Sequence, residues 1–267
     1  KFESDGAGFF GELLILIFLF LALSHTILKS FYQKIKVKDI LFDTEIRIGL
    51  FISVLSTVVI GLKQIISGSV YEGLSDHFEN IFELIWGIFF TVFSFITTNG
   101  YVSSFWVSSQ TSADFSSVMI IFMGLCLFGG GVATTAGGIK LLRISILFTA
   151  FSNETGKLLH PSSIVSQKTS NNSLEISIFM AWIFFMLFLV SVAILTIFLA
   201  LFEIRFEDAL LLAVACLTTT GPIIELVGAG KILILDLSIF SKMALIFGMV
   251  IGRLEILVAL SLITFGF

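Results

Sequence analysis

Apolar residues in this chain fall in long runs, not at every second position or along one helical stripe. Residues 9–28, 46–66, 174–202 and 237–267 are such runs, and a fifth covers 115–128 and resumes after an interruption to 151. A helix rising 1.5 Å per residue needs about 20 apolar residues to cross a hydrocarbon core of roughly 30 Å, so these five stretches predict membrane-spanning helices. Two shorter runs behave differently. Residues 80–96 and 209–217 lead straight into polar strips, "TTNGY" (Thr97, Thr98, Asn99, Gly100, Tyr101) and "TTTGP" (Thr218, Thr219, Thr220, Gly221, Pro222). They predict helices that enter a membrane and stop inside it.

The order of these pieces recurs. From residue 46 it runs span, acidic loop, short apolar helix, TTNG, loop, span; from residue 174 it repeats with "EIRFED", "ALLLAVACL", "TTTGP" and a final span. Pairing Gly100 with Gly221 also pairs Thr97 with Thr218 and Thr98 with Thr219, so the chain reads as two copies of a helix, re-entrant loop, helix unit. Residues 1–45 read as the last helix of an earlier, incomplete unit with a basic cytoplasmic loop. Residues 46–151 and 174–267 form two complete units, joined by a cytoplasmic linker at 152–173. The start at Lys1 is taken as a fragment or a processed form.

Composition narrows the class without changing this outline. Hydrophobic residues make up 57% and charged residues 13%, against about 25% charged in soluble domains. That balance fits an integral membrane protein. Cys126 and Cys216 lie in apolar runs, where a thiol behaves as a small hydrophobe. The three histidines are scattered, and no nucleophile, base or metal cluster converges anywhere, so neither an enzyme nor a transition-metal site is expected. Lys29, Lys34, Lys36, Lys38, Lys140, Arg143, Lys157 and Lys168 gather on one side of the predicted topology. Glu72, Asp76, Glu79, Asp114, Glu203, Glu207 and Asp208 gather on the other. Basic loops remain cytoplasmic, so the strips open outward beneath acidic loops that concentrate cations.

Non-helical backbone at membrane depth survives only where protein buries it or water lines it. Threonine and glycine permit an extended strip whose carbonyls face one way, and such carbonyls replace the hydration shell of a potassium ion. Short helices aiming their carboxyl ends at the same place add partial negative charge there. Small residues in membrane helices also serve simple packing; two strips at matching places in a repeat favour the ion-binding reading.

Four pieces together resemble a known family: "TTNGY", "GGGVATTAGGIKLLR" over 129–143, "TTTGP", and "GRLEI" over 252–256. The chain is similar along nearly its whole length to the Trk/Ktr/HKT potassium transporter superfamily, closest to the bacterial TrkH-type uptake subunit. The resemblance implies an all-α polytopic membrane protein of the potassium-channel type, built around a pseudo-fourfold pore, of which only two complete units are present. It implies potassium transport through a carbonyl-lined filter made by Thr97 to Tyr101 and Thr218 to Pro222, with potassium as substrate and no covalently bound cofactor. It further implies a bacterial inner-membrane (plasma-membrane) location and a homodimer in the lipid bilayer. A cytoplasmic nucleotide-binding regulatory subunit is implied as partner, and no nucleic acid.

Between the strips, residues 129–140 hold five glycines, Gly129, Gly130, Gly131, Gly137 and Gly138, with Thr134 and Thr135. Each interior glycine costs a helix roughly 1 kcal/mol relative to alanine, so a break is expected there; a tight helix crossing is the alternative. By resemblance this is an intramembrane gate loop under the filter. Lys140 and Arg143 either snorkel to the inner headgroups or add an electrostatic obstacle to cations. Arg253 lies amid apolar residues, where an arginine is usually paired or faces water, and by resemblance it helps hold the gate shut. Lys242 is either an outer-face charge or an interfacial anchor. The competing functions are a secondary transporter of another small solute with discontinuous helices, which would present amino-terminal helix ends to an anion, and a non-transporting truncated remnant.

Overall fold

Runs of apolar residues free of proline leave the backbone only the helix as a way to satisfy its own polar groups in lipid, and helices are what form. The computed structural model describes residues 8–23, 44–66, 78–109, 115–131, 137–159, 171–202, 204–227 and 237–253. In chain order they build α1 (Gly8–Leu23), α2 (Thr44–Ile66), α3 (Phe78–Ile96), a 3-10 turn (Ser104–Ser109) and α4 (Phe115–Phe128). There follow α5 (Leu141–Leu159), α6 (Asn171–Ala200), α7 (Phe206–Leu217), α8 (Pro222–Val227) and α9 (Ile239–Arg253), with no strand among the described residues.

Two stretches, Glu45–Gln64 in α2 and Ile176–Ala200 in α6, are long and apolar enough to cross a membrane by length and composition. α6 exposes Phe179, Trp182, Leu189, Ile194 and Ile197 on several sides, which suits a lipid neighbour and would be untenable in water. α7 is its opposite: Ala209 and every residue from Leu211 to Leu217 are buried, the state expected of a short helix that is apolar all round. α7 is enclosed by α4, α6, α8 and α9, while α3 is enclosed by α1, α2, α4 and the 3-10 turn. Thus each short helix is flanked by helices of its own unit and by one from the preceding stretch of chain. Because lipid is as apolar as the core, this arrangement is held by close packing more than by the hydrophobic effect. Phe95, Phe122 and Trp106 illustrate it, with ring centroids 4.9 Å and 5.6 Å apart in edge-on pairs behind the first strip.

The interrupted third span behaves as its glycines require. α4 stops at Phe128 and α5 starts at Leu141. Residues 152–159, at the start of the expected linker, are helical and continue α5 to Leu159. Thr134, Thr135, Glu72, Asp76, Asp114, Glu203, Lys29, Lys34, Lys36, Lys38, Lys168 and Glu255 lie outside the described residues.

Candidate functional site

Both strips begin where a short helix ends, and they leave it by the same backbone route. Thr97 N–H donates to Phe93 O at 3.1 Å, Thr98 N–H to Phe95 O at 3.1 Å and Asn99 N–H to Ser94 O at 3.1 Å. In the second strip Thr218 N–H donates to Val214 O at 2.9 Å, Thr219 N–H to Cys216 O at 3.2 Å and Thr220 N–H to Ala215 O at 2.9 Å. Under the pairing of Gly100 with Gly221 these are the same three bonds. The side chains follow suit: Thr97 Oγ1 donates to Phe93 O at 3.2 Å and Thr218 Oγ1 to Val214 O at 2.8 Å.

The turn that makes this possible falls on a threonine in each strip. Thr98 and Thr219 both have φ +58°, a left-handed conformation uncommon for any residue but glycine and an outlier for a β-branched one. Such a residue costs on the order of 1–3 kcal/mol and persists only where its surroundings over-determine it; the N–H bonds to the helix ends supply that constraint. Glycine carries a left-handed dihedral as well at Gly100, with φ +76°. Gly221 does not: its φ is not positive, and there is open space within 4 Å of where a Cβ would stand. With the N–H groups of the first strip turned back into α3, the carbonyls of Asn99 and Gly100 accept no hydrogen bond among the described residues. In the second strip Thr220 O accepts from Ile223 N–H at 3.3 Å and Gly221 O from Ile224 N–H at 3.1 Å, closing the first turn of α8.

The two strips meet. Thr220 Oγ1 donates to Thr98 O at 3.4 Å, and a Cβ on Gly100 would stand 3.0 Å from Pro222 Cγ. The carboxyl ends of α3 and α7 therefore lie side by side, each leading into threonine and glycine backbone. Tyr101 is half-exposed and its N–H donates to Ser94 Oγ at 2.6 Å.

The glycine-rich stretch lies against those same helix ends. Gly130 N–H donates to Ile96 O at 2.8 Å. A Cβ on Gly129 would overlap Ile96 O, and one on Gly137 would overlap Leu217 O, so only glycine lets the chain pass this close to the last carbonyls of α3 and α7. Gly137 N–H also reaches Thr219 Oγ1 at 3.5 Å. Gly131 passes equally close to Ala22 O, and Gly138 has φ +98°. The flanks of the break are stitched together: Ile139 N–H donates to Leu127 O at 3.2 Å, Lys140 N–H to Gly129 O at 3.2 Å and Leu141 N–H to Gly130 O at 3.3 Å.

The cationic residues divide. Lys140 precedes the helix with φ +66°, and its carbonyl accepts from Arg143 N–H at 3.1 Å, so the two side chains do not share a helical face. The Arg143 guanidinium lies 3.7 Å from the centre of the Phe184 ring on α6, a cation–π contact. Arg253 ends α9 and is exposed, yet Gly252 beside it also leans on Leu217 O. That brings the end of α9 to the carbonyl that Gly137 approaches. Lys242 is half-buried near the start of α9, its N–H bonded to Ser238 O at 3.0 Å.

Pattern alone gives Glu12 no role, yet it is fully buried. Trp86, Ser103 and Ser104 donate to its carboxylate. The signal was present: an acidic residue inside an apolar run is a functional candidate by default, but one close to a span end is ordinarily taken to reach the interface.

The family model for TrkH, described as a cation transport protein, matches residues 14–265. The "Trk system potassium uptake protein TrkI" of Halomonas elongata is 32% identical over 180 residues, 66% of this chain and 35% of that protein. TrkG of Escherichia coli is 24% identical over 261 residues, 95% of this chain and 50% of that protein. TrkH of Escherichia coli is 31% identical over 184 residues, 66% of this chain and 35% of that protein. The chain thus spans half or less of the length of these relatives. The crystal structure of the potassium transporter TrkH from Vibrio parahaemolyticus matches with a TM-score of 0.75 and 22% identity, over 94% of this chain and 51% of that one; it shares the fold. With the match covering nearly every described helix, the chain belongs to the TrkH family of cation transport proteins.

Proposed function

We propose that the chain forms part of a potassium-translocating pore, with residues 46–151 and 174–267 as two of its units. The observation that carries this is the meeting of the two strips, Thr220 Oγ1 on Thr98 O, at the carboxyl ends of two buried helices. Helix carboxyl ends carry partial negative charge, which suits a cation and argues against a solute anion. The ligands are main-chain oxygens: those of Thr97, Thr98, Asn99 and Gly100 in the first strip, and of Thr218 and Thr219 in the second. The Thr220 and Gly221 carbonyls complete the second strip; like Thr97 O, which accepts from Thr98 Oγ1 at 2.8 Å, and Thr98 O and Thr218 O, which face Thr220 Oγ1 at 3.4 Å, each spends one lone pair inside the protein and keeps the other.

Ions enter from the acidic outer side, exchange water for these carbonyls, and wait above the glycine-rich stretch of residues 129–140. That stretch is the gate, with Lys140, Arg143 and Arg253 as its cationic surroundings. The names of the relatives, potassium uptake proteins, support potassium as substrate. The bacterial inner membrane, a homodimer and a cytoplasmic nucleotide-binding regulator on the basic inner side complete the proposal. The catalysis of a chemical reaction forms no part of it.

The test is rubidium and sodium uptake into liposomes holding the full-length product, compared with Gly100→Ser. The expected result is a fall in rubidium preference. Unchanged preference together with unchanged flux would remove Gly100 from the ion path and the proposal with it.

A further inference from the structure

An ionised group taken out of water survives only where donors replace its hydration. Glu12, the one charged residue of α1, is fully buried, and its donors are specific. Trp86 Nε1–H donates to Oε2 at 3.0 Å. Ser103 Oγ lies 2.8 Å from Oε1 and 2.9 Å from Oε2. Ser104 donates to Oε1 from its N–H at 3.0 Å and from its hydroxyl at 3.1 Å. Ser103 lies 91 residues from Glu12 in sequence, so the carboxylate ties α1 to a distant stretch of chain.

That stretch is the exit of the first strip. Ser103 and Ser104 follow Gly100 after only Tyr101 and Val102. On its other side the same segment is held by α3: Tyr101 N–H on Ser94 Oγ, and Ser103 N–H on Thr91 Oγ1 at 3.3 Å, where Thr91 in turn donates to Gly87 O at 2.7 Å. The exit is therefore clamped between α3 and Glu12. Among the described residues the second strip shows no such clamp: the positions paired with Thr91 and Ser103 are Leu212 and Ile224, both buried and apolar.

We infer that Glu12 is a positioning residue for the first strip: by fixing Ser103 and Ser104 it holds the Asn99 and Gly100 carbonyls at the spacing that distinguishes potassium from sodium. The inference rests on the filter reading above. A strip free to relax inward accepts the smaller ion more readily, since carbonyls replace a hydration shell only at the right distance.

The experiment measures rubidium and sodium uptake by the full-length product in liposomes at equal reconstituted protein. Glu12→Gln keeps the shape but turns an amide NH2 toward groups that are themselves donors. It is expected to lower the rubidium-to-sodium ratio about tenfold, the scale of a hydrogen bond to a charged group. Trp86→Phe removes the indole donor and trims the ring that packs on Phe9, and it is expected to lower the ratio roughly threefold. Gly100→Ser serves as control. If Gly100→Ser shifts the ratio while Glu12→Gln leaves it unchanged, or lowers both fluxes equally, the positioning role is overturned and the filter reading stands. If Gly100→Ser also changes nothing, both fall. Should Glu12→Gln fail to accumulate, Trp86→Phe decides alone, and an unchanged ratio overturns the inference.

Discussion

Where Tyr101 presents an N–H that Ser94 Oγ accepts at 2.6 Å, the second strip has Pro222, which offers no N–H, opposite Ala215, which offers no side-chain acceptor. The neighbouring pairs differ in the same sense: Thr91 and Ser103 in the first unit correspond to Leu212 and Ile224 in the second. One strip is secured by a polar network reaching as far as α1; the other is secured by the backbone turn of α8, with Ile223 and Ile224 bonding to Thr220 and Gly221. The entry to each strip is the same bond for bond, and the exit is not. What is common is what bends the chain out of a helix; what differs is how it is held afterwards. A buried donor must find a partner or be removed, and the two units adopt one solution each.

The largest effects should fall where the units are alike. Gly129→Ala and Gly137→Ala each drive a Cβ into a main-chain carbonyl, Ile96 O and Leu217 O respectively. Each is expected to cost about 3 kcal/mol or more, seen as a large fall in the heat-denaturation midpoint in detergent. Markedly unequal losses would mean that the stretch leans on one short helix only.

The next effect should separate the strips. Gly100→Ala combines a positive φ with a clash against the Pro222 ring and is expected to cost about 1–3 kcal/mol, together with a loss of rubidium uptake. Gly221→Ala meets open space and should remain within about 0.5 kcal/mol. Equal damage at both positions would erase the contrast.

Ser94→Ala then tests the polar exit directly. It removes the acceptor of the part-buried Tyr101 N–H, for an expected loss of about 1 kcal/mol in the same denaturation assay. A neutral result would mean that the hydroxyl is dispensable and that the two exits are mechanically equivalent. The smallest change is Thr220→Val, which deletes the 3.4 Å bond between the strips together with the Thr220 hydroxyl's contacts to Thr218 Oγ1 and O while keeping side-chain shape. About 0.5–1.5 kcal/mol is expected, and its absence would show that the strips are aligned by their helices alone.

The apolar runs made the helices legible, and the break at residues 129–140 was legible in five glycines that no helix would choose. The strips were legible as polar interruptions in a repeat. What pattern could not supply was the fate of individual backbone groups. Both strips read alike in sequence, but the carbonyls of Thr220 and Gly221 are engaged by α8, a six-residue helix too short to leave a periodic signal. The left-handed turns fall on Thr98 and Thr219, where propensity would have assigned them to glycine, because the N–H bonds back to the helix ends override residue preference there. Arg143 read as a charge near the gate, and its stacking on Phe184 depends on how α5 meets α6, which no local pattern encodes. Glu12 is the same kind of case, since its partners lie far along the chain.

The glycines facing carbonyls have a consequence for how this protein can change. Crowding by a neighbouring side chain can be relieved by trimming that neighbour elsewhere in the gene. The oxygens of Ile96, Leu217 and Ala22 are present whatever amino acids occupy those positions, so no local suppressor exists for a larger residue at 129, 137 or 131. Genetic rescue at these three sites should come only as reversion.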